Sequence, residues 1–245
     1  MRGPLNIGRP PQGWPVIVQA GASPAGRQLA AETAEVVFGA PPSIEAARSY
    51  YVDLRARMAA IGRAPDTLRY LPGAFIVVAP TKGEALHRRA TLDSLIHYDS
   101  GIGSLNSMLS YDVSSFDPDG PLPEIPETNA SKSQRERMVN LARDKGLTIR
   151  ELAQVAGSYG GFAFVGTPNS IADEMEEWLE TEACDGFNVM FPWLPGGLDE
   201  VVDLLIPELQ RRGLFRRDYQ GSTLRDHLGL HRPPNRFFPH DRAET

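Results

Sequence analysis

Apolar runs and helical periodicities alternate along the chain, a pattern typical of β–α units built around a parallel sheet. Four short apolar runs predict strands at Val16–Gln19, Val36–Phe38, Leu71–Val78 and Phe187–Met190. Five helices are predicted between and after them: Pro24 to about Ala34, a long one capped by Ser43, one opened by Thr81–Glu84, one opened by Thr167-Pro168, and Asp199–Gln210. The predicted fold class is therefore α/β.

The long helix after Ser43 has a clear amphipathic pattern. Its apolar positions recur at helical spacing and predict a buried face: Ile44, Ala47, Tyr51, Leu54, Met58 and Ile61. In the last helix, Pro207 is expected to break or kink the backbone, and Gly213 to end it.

The pattern changes between the third and fourth predicted strands. Residues 101–126 are rich in Ser, Asp, Gly and Pro, which predicts a long irregular excursion. A charged helix (about Ser131 to Lys145) and a short helix opened by Thr148–Glu151 follow it. The whole insertion covers about residues 99–160, and a mobile lid and a static surface pad are equally good interpretations of it. Residues from about 214 to 245 predict an irregular C-terminal arm that docks on its own subunit or on a neighbour.

The segment from Pro15 to Gly26 carries the main candidate for chemistry. It predicts a strand, a turn of small residues and a helix that begins at Ser23-Pro24, a favoured N-cap and first helical residue. Unpaired N–H groups and the positive end of the helix dipole suit such a turn to phosphate. Gly21 and Gly26 leave room for a ligand or a neighbouring element. An ordinary strand-to-helix turn is the alternative.

Composition narrows the class of protein. Of the 245 residues, 41% are hydrophobic and 23% charged, which permits a sizeable core, and the net charge of −6 does not favour nucleic acid or an anionic membrane surface. The single cysteine, Cys184, precludes an intramolecular disulfide, and the histidines lack metal-ligand spacing. We expect a cytoplasmic protein without a metal, a signal peptide or a membrane span.

Several motifs occur in an order that resembles one known family: Arg2–Asn6, Pro10–Gly13, Gln19–Ser23, Gly166–Pro168 with Ile171–Asp173, Asp185–Asn188, Pro207–Gly213 and Thr223–Gly229. The chain is similar, over almost its entire length, to the nitrilotriacetate monooxygenase component A family, a branch of the bacterial-luciferase-like flavin monooxygenases. The resemblance implies a TIM (β/α)8 barrel that uses reduced FMN and O2 to oxygenate a small organic substrate. It also implies a separate NAD(P)H:flavin oxidoreductase that supplies the reduced FMN.

The resemblance implies a phosphate-binding role for Ser23, since the serine of the Gln-Ala-Gly-x-Ser motif contacts the flavin phosphate in that family. The other residues that would bind the flavin phosphate here are Ala20, Gly21, Ala22 and Gly26. No catalytic residue can be assigned, because the part of the family's barrel that surrounds the flavin ring precedes Arg2. We interpret His97 as a surface residue and expect Asn188 to make a structural hydrogen bond.

The expected architecture is the C-terminal half of a barrel, with residues 1–245 as one partial domain of about four β–α units. Four units cannot close an eight-stranded barrel, so two sheet edges and an apolar interior would stay open. We therefore expect self-association and an enzyme that is incomplete and inactive alone. The alternative is a non-catalytic half-barrel that binds FMN or phosphate, or a truncated remnant.

Overall fold

A computed structural model describes residues 7–126, 132–158 and 162–235. Its centre is a five-stranded parallel sheet in the described part of the chain. The strands are β1 (Val18–Gln19), β2 (Val36–Gly39), β3 (Arg69–Val78), β4 (Ala163–Gly166) and β5 (Asn188–Met190). The parallel α/β architecture expected from the sequence is confirmed.

Strand β3 is the longest strand, and it pairs with three others. Its first half pairs with β2 and its second half with β4, while β5 pairs with Gly73–Phe75. The N–H of Arg69 donates to the Glu35 carbonyl beside β2 at 2.9 Å, and the N–H of Phe75 donates to the Phe162 carbonyl beside β4 at 3.3 Å. Alternate residues of a strand point their N–H groups to the same edge. Therefore β2 and β4 share one edge of β3, and β5 occupies the other.

Helices of the sheet region bury the main core against one face of the sheet. Their bounds are α1 (Pro24–Thr33), α2 (Ile44–Ala60), α3 (Lys82–Ser94), α7 (Pro168–Glu180), α8 (Gly196–Glu200), α9 (Ile206–Arg212) and α10 (Leu224–His227). A short 3₁₀ turn covers Pro65–Thr67, and a π-helical segment, Val201–Leu205, joins α8 to α9. The core includes side chains from α1, α2, α7 and α9 together with Tyr70, Ala74, Ile76 and Val78 of β3.

The helix starts predicted from capping residues are confirmed at Ser23, Ser43, Thr81 and Thr167, because each depends on a local side-chain cap. The start predicted at Asp199 is wrong, because that helix begins at Gly196 without a side-chain cap. Ser43 and Thr81 accept hydrogen bonds from the third backbone N–H of α2 and α3, and Thr81 forms the full capping box with Glu84. The buried face of α2 also matches the prediction, except at one position. Ile61 is exposed because α2 ends at Ala60. As the C-cap residue, Ile61 no longer has the helical arrangement that places side chains on the buried face.

The count of four strands is wrong, because the sequence prediction missed β4. The Phe162–Val165 run is short and follows a glycine-rich stretch, so it gives little local signal. Its pairing partner lies far away in the chain, since Ala163 aligns with Phe75 of β3. The other four strands are confirmed, although β1 is shorter than predicted and β3 begins two residues earlier.

The irregular excursion predicted for residues 101–126 is wrong over its first part, where the chain forms α4 (Tyr98–Leu109). Two further helices, α5 (Lys132–Lys145) and α6 (Ile149–Gly157), confirm the helices predicted after it. Gly101 allows close packing, since a Cβ there would lie 2.6 Å from the Ala153 carbonyl oxygen on α6. The insertion thus has its own apolar core, which includes Ile102, Leu105, Leu109, Ile149 and Leu152.

The last helix and the arm follow the prediction in part. The π-helical segment ends at Leu205, just before α9, and Pro207, the second residue of α9, has no N–H to donate. Gly213 ends α9 in the left-handed conformation. The arm docks on its own chain, where the buried Arg225 pairs with Glu35. It is not wholly irregular, because Thr223 and Asp226 cap α10. The arm's Phe237-Phe238 pair and the Arg2–Asn6 motif lie outside the described residues.

The second face of the sheet carries apolar side chains that are only partly covered. Strand register aligns apolar side chains on this face: Val18 with Val36, Phe38 with Leu71, and Phe75 with Met190. Of the side chains on this face, Val36 and Val77 are buried. Val18 is 60% exposed, and the Phe38, Leu71, Phe75 and Met190 side chains are half-buried. None of the helices in the described ranges is long and apolar enough to cross a membrane.

Candidate functional site

The turn between β1 and α1 has the geometry expected from its sequence. Ser23 is the N-cap of α1, and its Oγ accepts a hydrogen bond from the Gly26 N–H at 3.1 Å. Pro24 is the first helical residue and has no N–H. Because a hydroxyl also carries one proton, the exposed Ser23 side chain can cap the helix and donate to a ligand at the same time.

Gly21 and Gly26 are close to one another. A Cβ on either residue would lie 3.1 Å from the Cα of the other. Of the two uses foreseen for these glycines, this contact supports the approach of a neighbouring element. Their absent side chains let the turn fold back on the first turn of α1, and this positions Ser23.

Arg27 brings positive charge to the turn. Its Nε donates to the Ala22 carbonyl at 2.9 Å, and its Nη1 donates to Asp53 Oδ2 at 3.0 Å. The guanidinium carbon also lies 4.8 Å from the centre of the Tyr50 ring. The hydrogen bond from Arg27, aided by the charges of Arg27 and Arg57, lowers the pKa of Asp53 although burial opposes this shift. The Arg27 guanidinium is therefore held beside the turn.

A cavity of about 460 Å³ opens at the carboxyl ends of β1 and β2. Its walls include Ala20–Ala22 from the first turn and Phe38–Ala40 from the second. Tyr50 and Tyr70 lie on the helix side, and Arg137 of α5 contributes from the insertion. The carboxyl edge of a parallel sheet is the usual position for ligands in α/β folds.

The predicted site residues are distributed unevenly around this cavity. Ala20, Gly21 and Ala22 line it, whereas Ser23 and Gly26 lie next to it on the first turn of α1. Four of the residues that line this cavity were not predicted from the sequence: Arg27, Tyr50, Tyr70 and Arg137. A basic residue in the first turn of a capped helix was a usable signal for Arg27. No local signal identifies Arg137, because its position depends on how the insertion docks.

The other candidates do not form a second centre. His97 is exposed, with its Nδ1 3.5 Å from an oxygen of the equally exposed Asp99. The prediction for Asn188 is wrong, because its exposed side chain makes no hydrogen bond with a described residue. Cys184 is buried, and that burial raises its thiol pKa to about 12. The described ranges contain no group of side chains able to hold a metal ion.

A parallel sheet with helices on one face, a capped helix at its first carboxyl edge and a cavity beside it define an α/β protein with a candidate ligand site at the carboxyl edge of its sheet. The chain belongs to the luciferase-like monooxygenase family, whose family model matches residues 2–183.

Comparison with individual proteins supports this assignment. The chain is 50% identical over 238 residues to nitrilotriacetate monooxygenase component A of Aminobacter aminovorans, covering 96% of this chain and 52% of that protein. DmoA of Hyphomicrobium sulfonivorans matches with a TM-score of 0.77 and 30% identity over 89% of this chain and 46% of its own. The riboflavin lyase RcaE, solved with a modified FMN and riboflavin, matches with a TM-score of 0.77 and 31% identity over 94% of this chain and 51% of its own. The chain spans about half the length of the curated relatives it matches.

Proposed function

We propose that this chain is part of a two-component FMN-dependent monooxygenase and that it holds the phosphate end of reduced FMN. The observation that carries the proposal is the β1–α1 turn beside the cavity. There the Ser23 hydroxyl and the Arg27 guanidinium lie on the same turn of one helix. This donor set fits a phosphate, which favours hydroxyl and guanidinium donors at a helix N-terminus.

The proposed roles of the residues concern binding and position. Reduced FMN, when bound, supplies the electrons with which O2 is activated for oxygenation of a substrate. Ser23 would donate to the phosphate, and Ala20, Gly21, Ala22 and Gly26 would shape the turn around it. Arg27 would offset the phosphate charge. We propose an NAD(P)H:flavin oxidoreductase as the source of reduced FMN, because the relative from Aminobacter aminovorans is named as component A of its enzyme.

The substrate is proposed only as a small organic molecule. The names of relatives refer to nitrilotriacetate, dibenzothiophene sulfone and long-chain alkanes, which share little chemistry. The turn and cavity described above would recognise the cofactor, which these enzymes can share while their substrates differ.

We further propose that residues 1–245 form the C-terminal half of a barrel, with β1, β2, β3 and β5 as its four strands. The insertion at about 99–160 and the arm at about 214–245 would complete this partial domain. Support comes from the partly covered second face of the sheet, where Val18 is 60% exposed. A closed barrel would cover this face with its other strands. We expect the isolated chain to be cytoplasmic, to self-associate and to be inactive alone.

The same exposed face favours a second candidate function. A half-barrel that keeps the β1–α1 turn could bind FMN or phosphate without catalysing any reaction, as a binding module or a truncated remnant. The two candidates differ in activity, since only the first predicts substrate-dependent oxygenation once the rest of the barrel and a flavin reductase are supplied.

A binding experiment with two flavins tests the proposed phosphate site. FMN and riboflavin differ only in the phosphate, so the purified chain should bind FMN more tightly in a fluorescence titration. Ser23→Ala should weaken FMN binding by about 1.5–3 kcal/mol, through loss of one charge-assisted hydrogen bond, and leave riboflavin binding unchanged.

Thr81→Ala is the matched control, because Thr81 also caps a helix with its side chain but lies outside the cavity. Both substitutions should cost about 0.5–2 kcal/mol of stability through the lost cap, whereas only Ser23→Ala should affect FMN. Equal affinity of the unaltered chain for FMN and riboflavin would contradict the proposed function.

A further inference from the structure

Tyr70 of β3 has a buried ring, and its hydroxyl makes no hydrogen bond with a described residue. The residue is 1% exposed, and its ring lies between Tyr50 and Tyr51, with ring centres 5.0 and 5.5 Å away. The Tyr51 hydroxyl donates to Asp185 and the Tyr50 hydroxyl donates to the Gly21 carbonyl. The Tyr70 hydroxyl makes no hydrogen bond with any residue that the structure describes. Of these three neighbouring tyrosines, only Tyr70 has a hydroxyl without an acceptor among the described residues.

The hydroxyl of Tyr70 lies in space that Gly39 leaves open because glycine has no side chain. A Cβ on Gly39 would be 2.8 Å from this oxygen and 3.1 Å from the ring carbon Cε2. Gly39 ends β2, and both residues line the cavity at the carboxyl edge of the sheet. The glycine therefore leaves space for a hydroxyl that contributes no hydrogen bond to the fold.

Folding alone does not account for this hydroxyl. The hydroxyl oxygen is not one of the fully buried polar atoms without a partner, so it opens into the cavity, and phenylalanine would keep the same ring contacts but place no donor there. A donor that lines a cavity and has no acceptor among the described residues is free to bond a ligand there.

The surroundings of the hydroxyl suit a negatively charged partner. Arg27 and Arg137 line the same cavity from different elements, α1 and the insertion helix α5. Burial raises the pKa of Tyr70, and the neighbouring Tyr50 and Cys184 raise it further. The phenol therefore keeps its proton at neutral pH and acts as a hydrogen-bond donor.

We propose that the Tyr70 hydroxyl donates a hydrogen bond to a phosphoryl oxygen of the ligand bound in this cavity, which Arg137 of the insertion also lines. This inference rests on the proposed function, since FMN supplies the phosphate. It adds a binding residue from the centre of the sheet and gives the insertion a direct part in the cofactor site.

Tyr70→Phe tests the proposal in the full 245-residue chain. FMN and riboflavin are titrated into the unaltered chain, Tyr70→Phe and the control Tyr219→Phe, whose ring is exposed on the arm. Loss of a hydrogen bond to a charged group predicts about ten- to a hundredfold weaker FMN binding by Tyr70→Phe. Riboflavin affinity should not change. The midpoint of urea unfolding without ligand should stay the same, because the hydroxyl makes no hydrogen bond with a described residue and its removal leaves the ring contacts intact.

Each outcome separates this inference from the proposed function. No preference of the unaltered chain for FMN over riboflavin overturns the proposed function and this inference with it. A clear preference that Tyr70→Phe leaves unchanged overturns the role of Tyr70 alone. Equal weakening of both flavins also overturns it, because the hydroxyl would then contact a part of the ligand other than the phosphate. A lower urea midpoint would show that the hydroxyl has a partner within the protein.

Discussion

The ion pair between Arg225 and Glu35 fastens the C-terminal arm to the amino edge of the sheet. Arg225 is 1% exposed, and its Nη2 lies 2.9 Å from Glu35 Oε2 and 3.2 Å from the Trp14 carbonyl. The same carboxylate accepts the Ile17 N–H at 3.0 Å. One residue of the arm therefore holds the segment before β1, the residue before β2 and its own loop together.

Glu35→Gln leaves this buried guanidinium without its counter-charge. Removal of one partner from a buried pair typically costs about 3–5 kcal/mol. We expect about 3 kcal/mol here, because Arg225 keeps hydrogen bonds to the Trp14 and His231 carbonyls. This loss is a large fraction of the stability of a typical domain.

Urea unfolding followed by circular dichroism measures the effect, and Glu182→Gln is the matched control. Glu182 pairs with Arg55, but its side chain is 73% exposed, so the same substitution should cost less than about 1 kcal/mol. The double variant Glu35→Gln with Arg225→Met should recover part of the loss, since it removes the uncompensated charge. Similar costs for Glu35→Gln and Glu182→Gln would refute the reasoning.

The pair should also give stability a dependence on pH. Burial by itself would raise the pKa of Glu35, but the hydrogen bonds from Arg225 and Ile17 and the charges of Arg225 and Arg63 lower it below its usual 4.5. A lowered carboxyl pKa contributes stability that is complete above the unfolded value and is lost as the pH falls through the folded value. The stability difference between the unaltered chain and Glu35→Gln should therefore shrink as the pH is lowered from about 4.5.

Two further predictions concern packing and reactivity. Gly101→Ala should destabilise the insertion by about 1–3 kcal/mol in thermal unfolding, because the new methyl group would meet the Ala153 carbonyl. Gly103→Ala in the same helix meets nothing within 4 Å and should stabilise by about 0.5–1 kcal/mol, so equal effects would disprove the packing argument. The Cys184 thiol, with a pKa of about 12, should resist iodoacetamide near neutral pH in the folded chain and react after unfolding in urea, and fast labelling of the folded chain would contradict its burial.

Local chemistry explains which parts of the fold could be predicted from the sequence. Helix starts at Ser23, Ser43 and Thr81 depend on hydrogen bonds that span three residues, so the pattern alone locates them. Strand β4 depends instead on pairing with Phe75, far away in the chain, and its short run carries no local signature. Helix α4 was not predicted because a glycine such as Gly101 disfavours a helix, although here Gly101 permits close contact with α6.

The site residues likewise divide into those that local sequence patterns predict and those that only the folded chain reveals. The β1–α1 turn was predictable because a strand, small residues and an N-cap follow one another in the sequence. Tyr70 and Arg137 were not, because one belongs to a strand with an ordinary apolar pattern and the other to a charged helix. Only the folded chain brings both to the cavity beside Gly39.

The sharing of one β3 edge by β2 and β4 has a consequence for the order of folding. Strand β2 aligns Val36 with Arg69 across one helix and a short turn, whereas β4 must bring Ala163 back to Phe75 after the whole insertion. Closing a longer loop costs more entropy and slows the contact. The β1–β2–β3 unit should therefore form early, and its amides should gain protection from hydrogen exchange first. Amides of β4 should become protected later, after the helices of the insertion have collapsed on their own core and shortened the distance that this strand must travel.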